Sequence, residues 1–541
     1  MNCSEVIANI LKAEGTEILT CFPHNDIIDS AAALGIRPIV ARTERVAVNI
    51  ADGYSRMTGG RKIGVCAVQF GPGVENSFGA VAQAYSDSTP LLHLPTGYRR
   101  HYVGINPNFK SLPAFTSITK WAETANAVAR LPDMLRSAFS IMRSGSRGPT
   151  LLEIPRDLVD EEIPDETFKY QPSEQSRIGT NPEAVRKALD MLSNADCAVI
   201  VAGQGILYSE AWDELLAFAE KTQIPVMSTL NGKSAFPENH PLALGTAAAS
   251  RPESVDHFLA KADVILGIGT SFTRNDYITP FPTDREMIQI TSDGHDIGKD
   301  YPVKLGIVGD AKLVLAQMIE MATDQASDNR AKVVNEVNAV RSKFMKDWMP
   351  RLTSDEEPMS PYRVIWEVMQ TVDRTKTVLT HDAGNPRDQI VPFYEAIVPH
   401  GYMGWGKTTQ LGTGLGLIMG AKLAQPDWTA INIMGDAAFG MVGMDFETAV
   451  RNQIGIITIV FNNSLMGGYS TAHPIAAERY HFHQISGDYC KIAEALGGHS
   501  ERITKINDLK PALERAIEKT KSGRPVLLDV KTGEEPIFPM G

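Results

Sequence analysis

Three features of the sequence predict an α/β chain of three domains, each built on a mainly parallel sheet flanked by helices. First, apolar β-branched runs alternate with helical patterns from end to end. Examples are 63-IGVCAV-68, 198-AVIVAG-203, 263-DVILGIG-269, 429-TAINIMG-435 and 456-IITIVF-461. Second, these runs lack polar alternation, as strands covered on both faces do. Third, two polar stretches, 160–183 and 322–332, read as linkers, the second leading into a helical pattern before 354–363. They divide the chain into domains at 1–165, 180–325 and 355–541, and 541 residues suffice for three or four cores.

The first and last domains look alike. Residues 144-SGSRGPTLLEIPRD-157 and 522-SGRPVLLDVKTG-533 both follow a helical stretch. Both run from Gly/Arg/Pro turn chemistry into a short apolar strand with an acid at its end, which suggests two copies of one domain type. The central domain carries 203-GQGILYS-209 and 267-GIGTSF-272, each after a strand. Neither completes the glycine pattern of a dinucleotide fold.

Composition narrows the function classes. Hydrophobic residues make up 43% and charged residues 21%, with a net charge of -12. That balance argues against a non-specific nucleic-acid or anionic-membrane surface, so neither partner is expected. Five scattered cysteines without a CxxC pair point to a reduced protein rather than a disulfide framework. No signal-peptide pattern opens the chain and no apolar run approaches the ~18 residues of a membrane span, so a cytoplasmic location is expected.

Chemistry concentrates in 435-GDAAFGMVGMDFETAVRNQIGIITIVFNN-463. Asp436 follows one strand and Asn462-Asn463 another, so adjacent parallel strands would bring them together where open α/β sheets place ligands. Gly435, Ala437 and Ala438 allow a close backbone approach. A carboxylate and an amide oxygen are hard donors suited to Mg²⁺, which completes its shell with substrate phosphates. Read alone, Asp436 serves equally well as a helix cap and the asparagines as a turn.

Gly-Asp-x, 24 intervening residues and Asn-Asn resemble the diphosphate–Mg²⁺ motif of thiamine-diphosphate (ThDP) enzymes. The resemblance implies that Asp436, Asn463 and the Leu465 carbonyl hold the metal, with Ala437 where the family usually has glycine. The stretch 42-RTERVAVNIADGYSRMTG-59 resembles the family's activating-glutamate helix, with Glu44 as the glutamate that assists proton removal from the cofactor. Further matches are 71-GPGVEN-76, with Gly71 and Asn76, and 87-DSTPLLHLPTG-97. In 382-DAGNPRD-388, Gly384 and Asn385 would meet the diphosphate. In 409-TQLGTGLGLIMGAKLAQP-426, Leu411 would lie under the cofactor and the Thr409 carbonyl would receive its amino group.

The likeness spans nearly the whole chain and is nearest the acetolactate synthase and benzoylformate decarboxylase branch. It implies that the first and last domains share the ThDP-binding fold. It further implies a homodimer or homotetramer with sites between subunits, acting on small carbonyl substrates. The expected activity is an acetolactate synthase-like carboligase; the alternatives are a 2-oxo acid decarboxylase or 2-hydroxyacyl lyase, and a pyruvate oxidase-type flavoenzyme. Substrate-facing residues depart from the family pattern. His24 and Asn25 in 22-FPHND-26 stand where a small residue would face the reacting carbon, and Lys110 stands in place of a glutamine. Tyr469, His473, Arg479 and His481 lie on a candidate closing loop, with His473 the expected catalytic one. Arg274 is the expected diphosphate contact should the central domain hold a nucleotide.

Overall fold

The computed structural model describes residues 1–323 and 327–540. It contains three six-stranded sheets, every paired strand parallel to its neighbour. The first uses β1 (Ile18–Cys21), β2 (Arg37–Val40), β3 (Gly64–Val68), β4 (Leu91–Gly97), β5 (Trp121–Thr124) and β6 (Thr150–Pro155), in the order β2-β1-β3-β4-β6-β5. The second uses β7 (Ala198–Ala202), β8 (Val226–Thr229), β9 (Ala243–Ala247), β10 (Val264–Ile268), β11 (Glu286–Thr291) and β12 (Leu305–Val308). Its order is β12-β11-β10-β7-β8-β9. The third uses β13 (Thr377–His381), β14 (Tyr402–Met403), β15 (Thr429–Gly435), β16 (Ile456–Asn462), β17 (His499–Ile503) and β18 (Val526–Lys531), in the order β14-β13-β15-β16-β18-β17.

The first and third orders are the same path through six strands, and the two similar sequence segments become β6 and β18 at matching places. The central sheet follows a different path. All five apolar runs are strands. In β15, Ile431 and Ile433 enter one buried cluster, while Ala430 and Met434 enter the other. Both faces are therefore covered, which is why the run shows no polar alternation; burying each such isoleucine contributes roughly 1.5–3 kcal/mol.

One linker differs from expectation. Residues 160–183 are irregular up to the helix Pro182–Ser193 apart from a short turn at Asp165–Thr167. The stretch 322–332, however, runs into the helix Ser327–Leu352, and residues 324–326 of it lie outside the described residues. The helical pattern expected between this linker and 354–363 is that helix, which begins inside the stretch and buries its later residues Val337, Phe344 and Leu352. Val337 packs in the central domain's core and the other two in that of the third domain.

The first and third domains meet through two helices, Glu44–Met57 and Thr413–Ala424. Small residues bring their backbones together. A Cβ on Gly53 would lie 2.1 Å from the Leu417 carbonyl oxygen, and one on Gly420 would lie 2.1 Å from that of Ile50. This contact fixes where the helix bearing Glu44 begins relative to the loop at 409–412.

Candidate active site

The third sheet places its functional loops at one edge. Gly435 on β15 pairs with Phe461 on β16, so Asp436 and Asn462-Asn463 emerge side by side. Asp436 is 2% exposed; its carboxylate accepts N–H bonds from Ser464 at 2.7 Å and Ala437 at 2.9 Å. Burial outweighs those donors and pushes its pKa up to about 6. Asp436 opens its helix as the first residue, with Gly435 as the cap, so it is not a helix cap itself. Ala438 is buried behind it. The two asparagines divide their work. Asn462 donates to Asp529 inside the sheet at 2.7 Å, whereas the Asn463 side chain turns back to accept the Leu465 N–H at 3.0 Å.

These residues fit a hard cation. The Leu465 and Thr409 carbonyls accept no hydrogen bond among the described residues. A cation at Asp436 would relieve the cost of its buried charge. No cluster of three or more His, Cys, Asp or Glu able to hold a metal occurs among the described residues, so the histidines at 473, 481 and 483 form no such centre. Space for an anion adjoins this edge. Gly384 has φ +83° and nothing within 4 Å of an added Cβ, and the Asn385 amide lies against Gly467.

Two acids that sequence reasoning passed over position these loops. Asp382, fully buried after β13, accepts N–H bonds from Gly412 (2.8 Å), Gly414 (2.9 Å) and Ala383 (2.8 Å). It thereby pins the segment that carries half-buried Leu411. Asp445 accepts the Arg42 N–H at 2.7 Å and the Thr43 hydroxyl at 2.8 Å. It ties the start of the Glu44 helix to the third domain, with Thr43 as the helix cap. Asp382 lies inside a quoted motif but was passed over for its glycine and asparagine; Asp445 bonds Thr448 locally, but its first-domain partners are some 400 residues away.

Glu44 is 4% exposed. Among the described residues its carboxylate has no cationic partner and one side-chain donor, Asn76 Nδ2 at 3.3 Å. The turn at Gly71, with φ +62°, starts the helix that presents Asn76. Next to Glu44, Arg45 donates to the Leu411 carbonyl, so the Glu44 helix and the 409–412 loop touch within one chain.

The expected substrate residues fare differently. His24 is exposed in the left-handed region, φ +77°, 6.1 Å from the Phe70 ring. Asn25 is tied to the backbone. It is 5% exposed, its Nδ2 donates to the Val68 and Leu94 carbonyls at 3.0 Å each, and its Oδ1 accepts the Ile27 N–H. Both polar atoms of its amide hold the loop, and both Nδ2 protons are spent on backbone carbonyls. Lys110 is exposed, and no contact joins it to Glu44 or Asp436. His473 stacks with Tyr469 and meets Phe482 on the surface, and Arg479 and His481 are exposed.

A cavity of about 760 Å³ opens at the C-terminal edge of the central sheet, lined by Gly205, Gly269, Thr270, Ser292 and Asp310 of that domain and by Arg147 of the first domain, among others. Arg274 does not reach it but lies over the Tyr301 ring at 4.5 Å. Arg147 stands there instead, its guanidinium held by the Gly59 and Tyr208 carbonyls with no acid partner among the described residues.

Comparison with known proteins matches three family descriptions along the chain. They are the thiamine pyrophosphate enzyme N-terminal TPP binding domain (residues 1–121), central domain (185–318) and C-terminal TPP binding domain (382–530). The probable acetolactate synthase large subunit of Methanococcus aeolicus is 31% identical, over 98% of this chain and 92% of the relative. That of Methanocaldococcus jannaschii is 29% identical over 100% and 93%. The acetolactate synthase isozyme 3 large subunit of Escherichia coli is 25% identical over 99% and 96%. None of the described helices is long and apolar enough to cross a membrane.

Proposed function

The chain belongs to the thiamine pyrophosphate enzymes, and on that premise we propose that it is a ThDP- and Mg²⁺-dependent carboligase of the acetolactate synthase type, joining 2-oxo acids or related carbonyl compounds. One observation supports the cofactor part most directly: Glu44, a carboxylate 4% exposed with a single long amide contact. A buried carboxylate so poorly satisfied calls for a further hydrogen-bond partner. Full-length likeness to acetolactate synthase large subunits supports the carboligase part.

Bound ThDP supplies a nucleophilic carbon that adds to a carbonyl and accepts the electron pair released when CO₂ leaves. This chain's residues do the rest. Glu44 would share a hydrogen bond with the cofactor's pyrimidine nitrogen, while Asn76 engages one of its carboxylate oxygens. Asp436, the Asn463 side chain and the Leu465 carbonyl hold Mg²⁺ and, through it, the diphosphate. Gly384, Asn385, Gly435, Ala437 and Ala438 line the approach. Asp382 and Arg45 set the 409–412 segment, so that Leu411 and the Thr409 carbonyl orient the ring system. In this reading, assembly as a homodimer or homotetramer places sites between subunits, and the protein works in the cytoplasm.

NMR product analysis of the protein with ThDP, Mg²⁺ and a panel of 2-oxo acids, aldehydes and acyl-CoA esters tests the reading. A C–C ligation product is expected; free aldehyde alone would replace the carboligase by a decarboxylase or lyase. A flavin-dependent oxidase is a second reading, favoured by the central cavity with its unpaired Arg147. A yellow purified protein with stoichiometric FAD would carry it.

A further inference from the structure

Four adjacent strand ends of the first sheet carry side chains that the proposed cycle leaves without a task. In the order β1-β3-β4-β6, each loop contributes one: His24, Phe70, Tyr98 and Arg156. They form one contiguous group. His24 lies 6.1 Å from the Phe70 ring, Tyr98 meets Phe70 edge-on at 5.1 Å, and the Arg156 guanidinium lies 5.0 Å over the same ring.

Arg156 is half-buried and has no acid partner among the described residues. The two carboxylates that follow it are taken, for Asp157 and Glu161 both bind Arg100. With one face covered by a ring, a guanidinium keeps its fork of N–H donors along the edge, the geometry that suits a planar carboxylate bidentately. The aromatic neighbours lower the local dielectric and strengthen such a pair. The support is rigid: Asn25 fastens the His24 loop to two strands, and the Phe70 N–H donates to the Thr96 hydroxyl at 2.9 Å.

This group adjoins the activating acid. The turn holding Phe70 continues to Gly73, whose Cβ position lies 2.7 Å from Gln69 and 3.3 Å from a Glu44 oxygen. One five-residue turn thus has Glu44 on one flank and the Phe70–Tyr98–Arg156 group on the other.

We propose that this edge is a carboxylate-binding subsite in which Arg156 grips the carboxylate of a 2-oxo acid while Phe70 and Tyr98 wall its carbon chain. The proposal rests on the reading of the protein as an enzyme of 2-oxo acids, and it names the residue that selects the acid over the corresponding aldehyde. His24, beside the Phe70 ring, is the remaining polar side chain of the group.

The test uses the full chain loaded with ThDP and Mg²⁺, with pyruvate and benzoylformate as charged probes and acetaldehyde and benzaldehyde as neutral counterparts. Binding is read by saturation-transfer NMR and turnover by kcat and KM, for wild type, Arg156→Gln and Arg156→Lys. Arg156→Gln is expected to raise the KM and Kd of the 2-oxo acids about tenfold or more, the scale of one lost charge-assisted pair, with kcat nearly unchanged. Aldehyde and ThDP binding should not change, and Arg156→Lys, which keeps the charge without the fork, should recover part of the loss. Equal 2-oxo acid affinity in Arg156→Gln, or an equal loss for aldehydes, would overturn the subsite. So would a wild type that binds neither acid. If the wild type binds the acids through Arg156 yet turns none over, the subsite stands and the assigned activity falls. Should Arg156→Gln fail to fold, Arg156→Lys decides: unchanged affinity for the acids would overturn the subsite.

Discussion

At the scale of single residues, neighbours in sequence proved to have opposite tasks. Asn462 and Asn463 are consecutive, yet one is spent on Asp529 inside the sheet and the other turns to the loop beside Asp436. His24 and Asn25 divide in the same way. Asp436→Asn removes the charge that a hard cation needs. It is expected to weaken ThDP binding at fixed Mg²⁺ by at least about tenfold to a hundredfold, read by calorimetric titration. Excess EDTA should abolish activity, and added Mg²⁺ should restore it. For Asn25→Ala the expected loss is stability rather than chemistry. Two buried carbonyls would lose their donor, costing about 1–3 kcal/mol each, read as a lower Tm. A variant with full stability and no activity would return Asn25 to the reacting carbon.

At the scale of elements, the strands were legible because a doubly covered parallel sheet writes itself as continuous apolar sequence. The 435–463 motif was legible too, since one βαβ unit fixes both its ends. What the sequence hid was pairing at long range. Nothing near Asp445 announces that it clamps Thr43, and the glycines of 409–426 do not say which helix they meet. The helix expected before 354 was legible, but its polar start hid that it begins as early as Ser327. The helix pair at the domain junction makes a sharp prediction. Gly53→Ala places a methyl 2.1 Å from the Leu417 carbonyl oxygen, in backbone that cannot yield cheaply. The expected cost is about 3 kcal/mol or more, seen as a fall in Tm together with weaker ThDP binding, because the helix carries Glu44. An unchanged Tm would mean the two helices are not packed so closely.

At the scale of the whole molecule, burial sets how the fold responds to acid. His93 and His381 are both fully buried, in the first and third domains, and burial lowers each pKa to about 3. Below the ordinary value of 6.5 the unfolded chain binds a proton that the folded one refuses, so their contribution is lost as pH falls from about 6.5 towards 3. Asp382, raised to about 6 by burial, works in the opposite sense over the upper part of that range. A comparison between variants isolates the histidine. The stability gap between wild type and His93→Gln should narrow by about 2 kcal/mol between pH 7 and pH 5, read by denaturant unfolding of the ligand-free protein. A gap that stays constant would mean His93 is not held neutral by the fold.

The most direct measurement of the central claim is turnover of a 2-oxo acid by Glu44→Gln, with ThDP and Mg²⁺ saturating. The side chain keeps its shape and its place beside Asn76 but can no longer accept the proton. The expected result is retained ThDP binding with kcat lowered about a hundredfold or more. A variant with full ThDP-dependent turnover would contradict the assignment of Glu44, and with it the placement of the cofactor between these two domains.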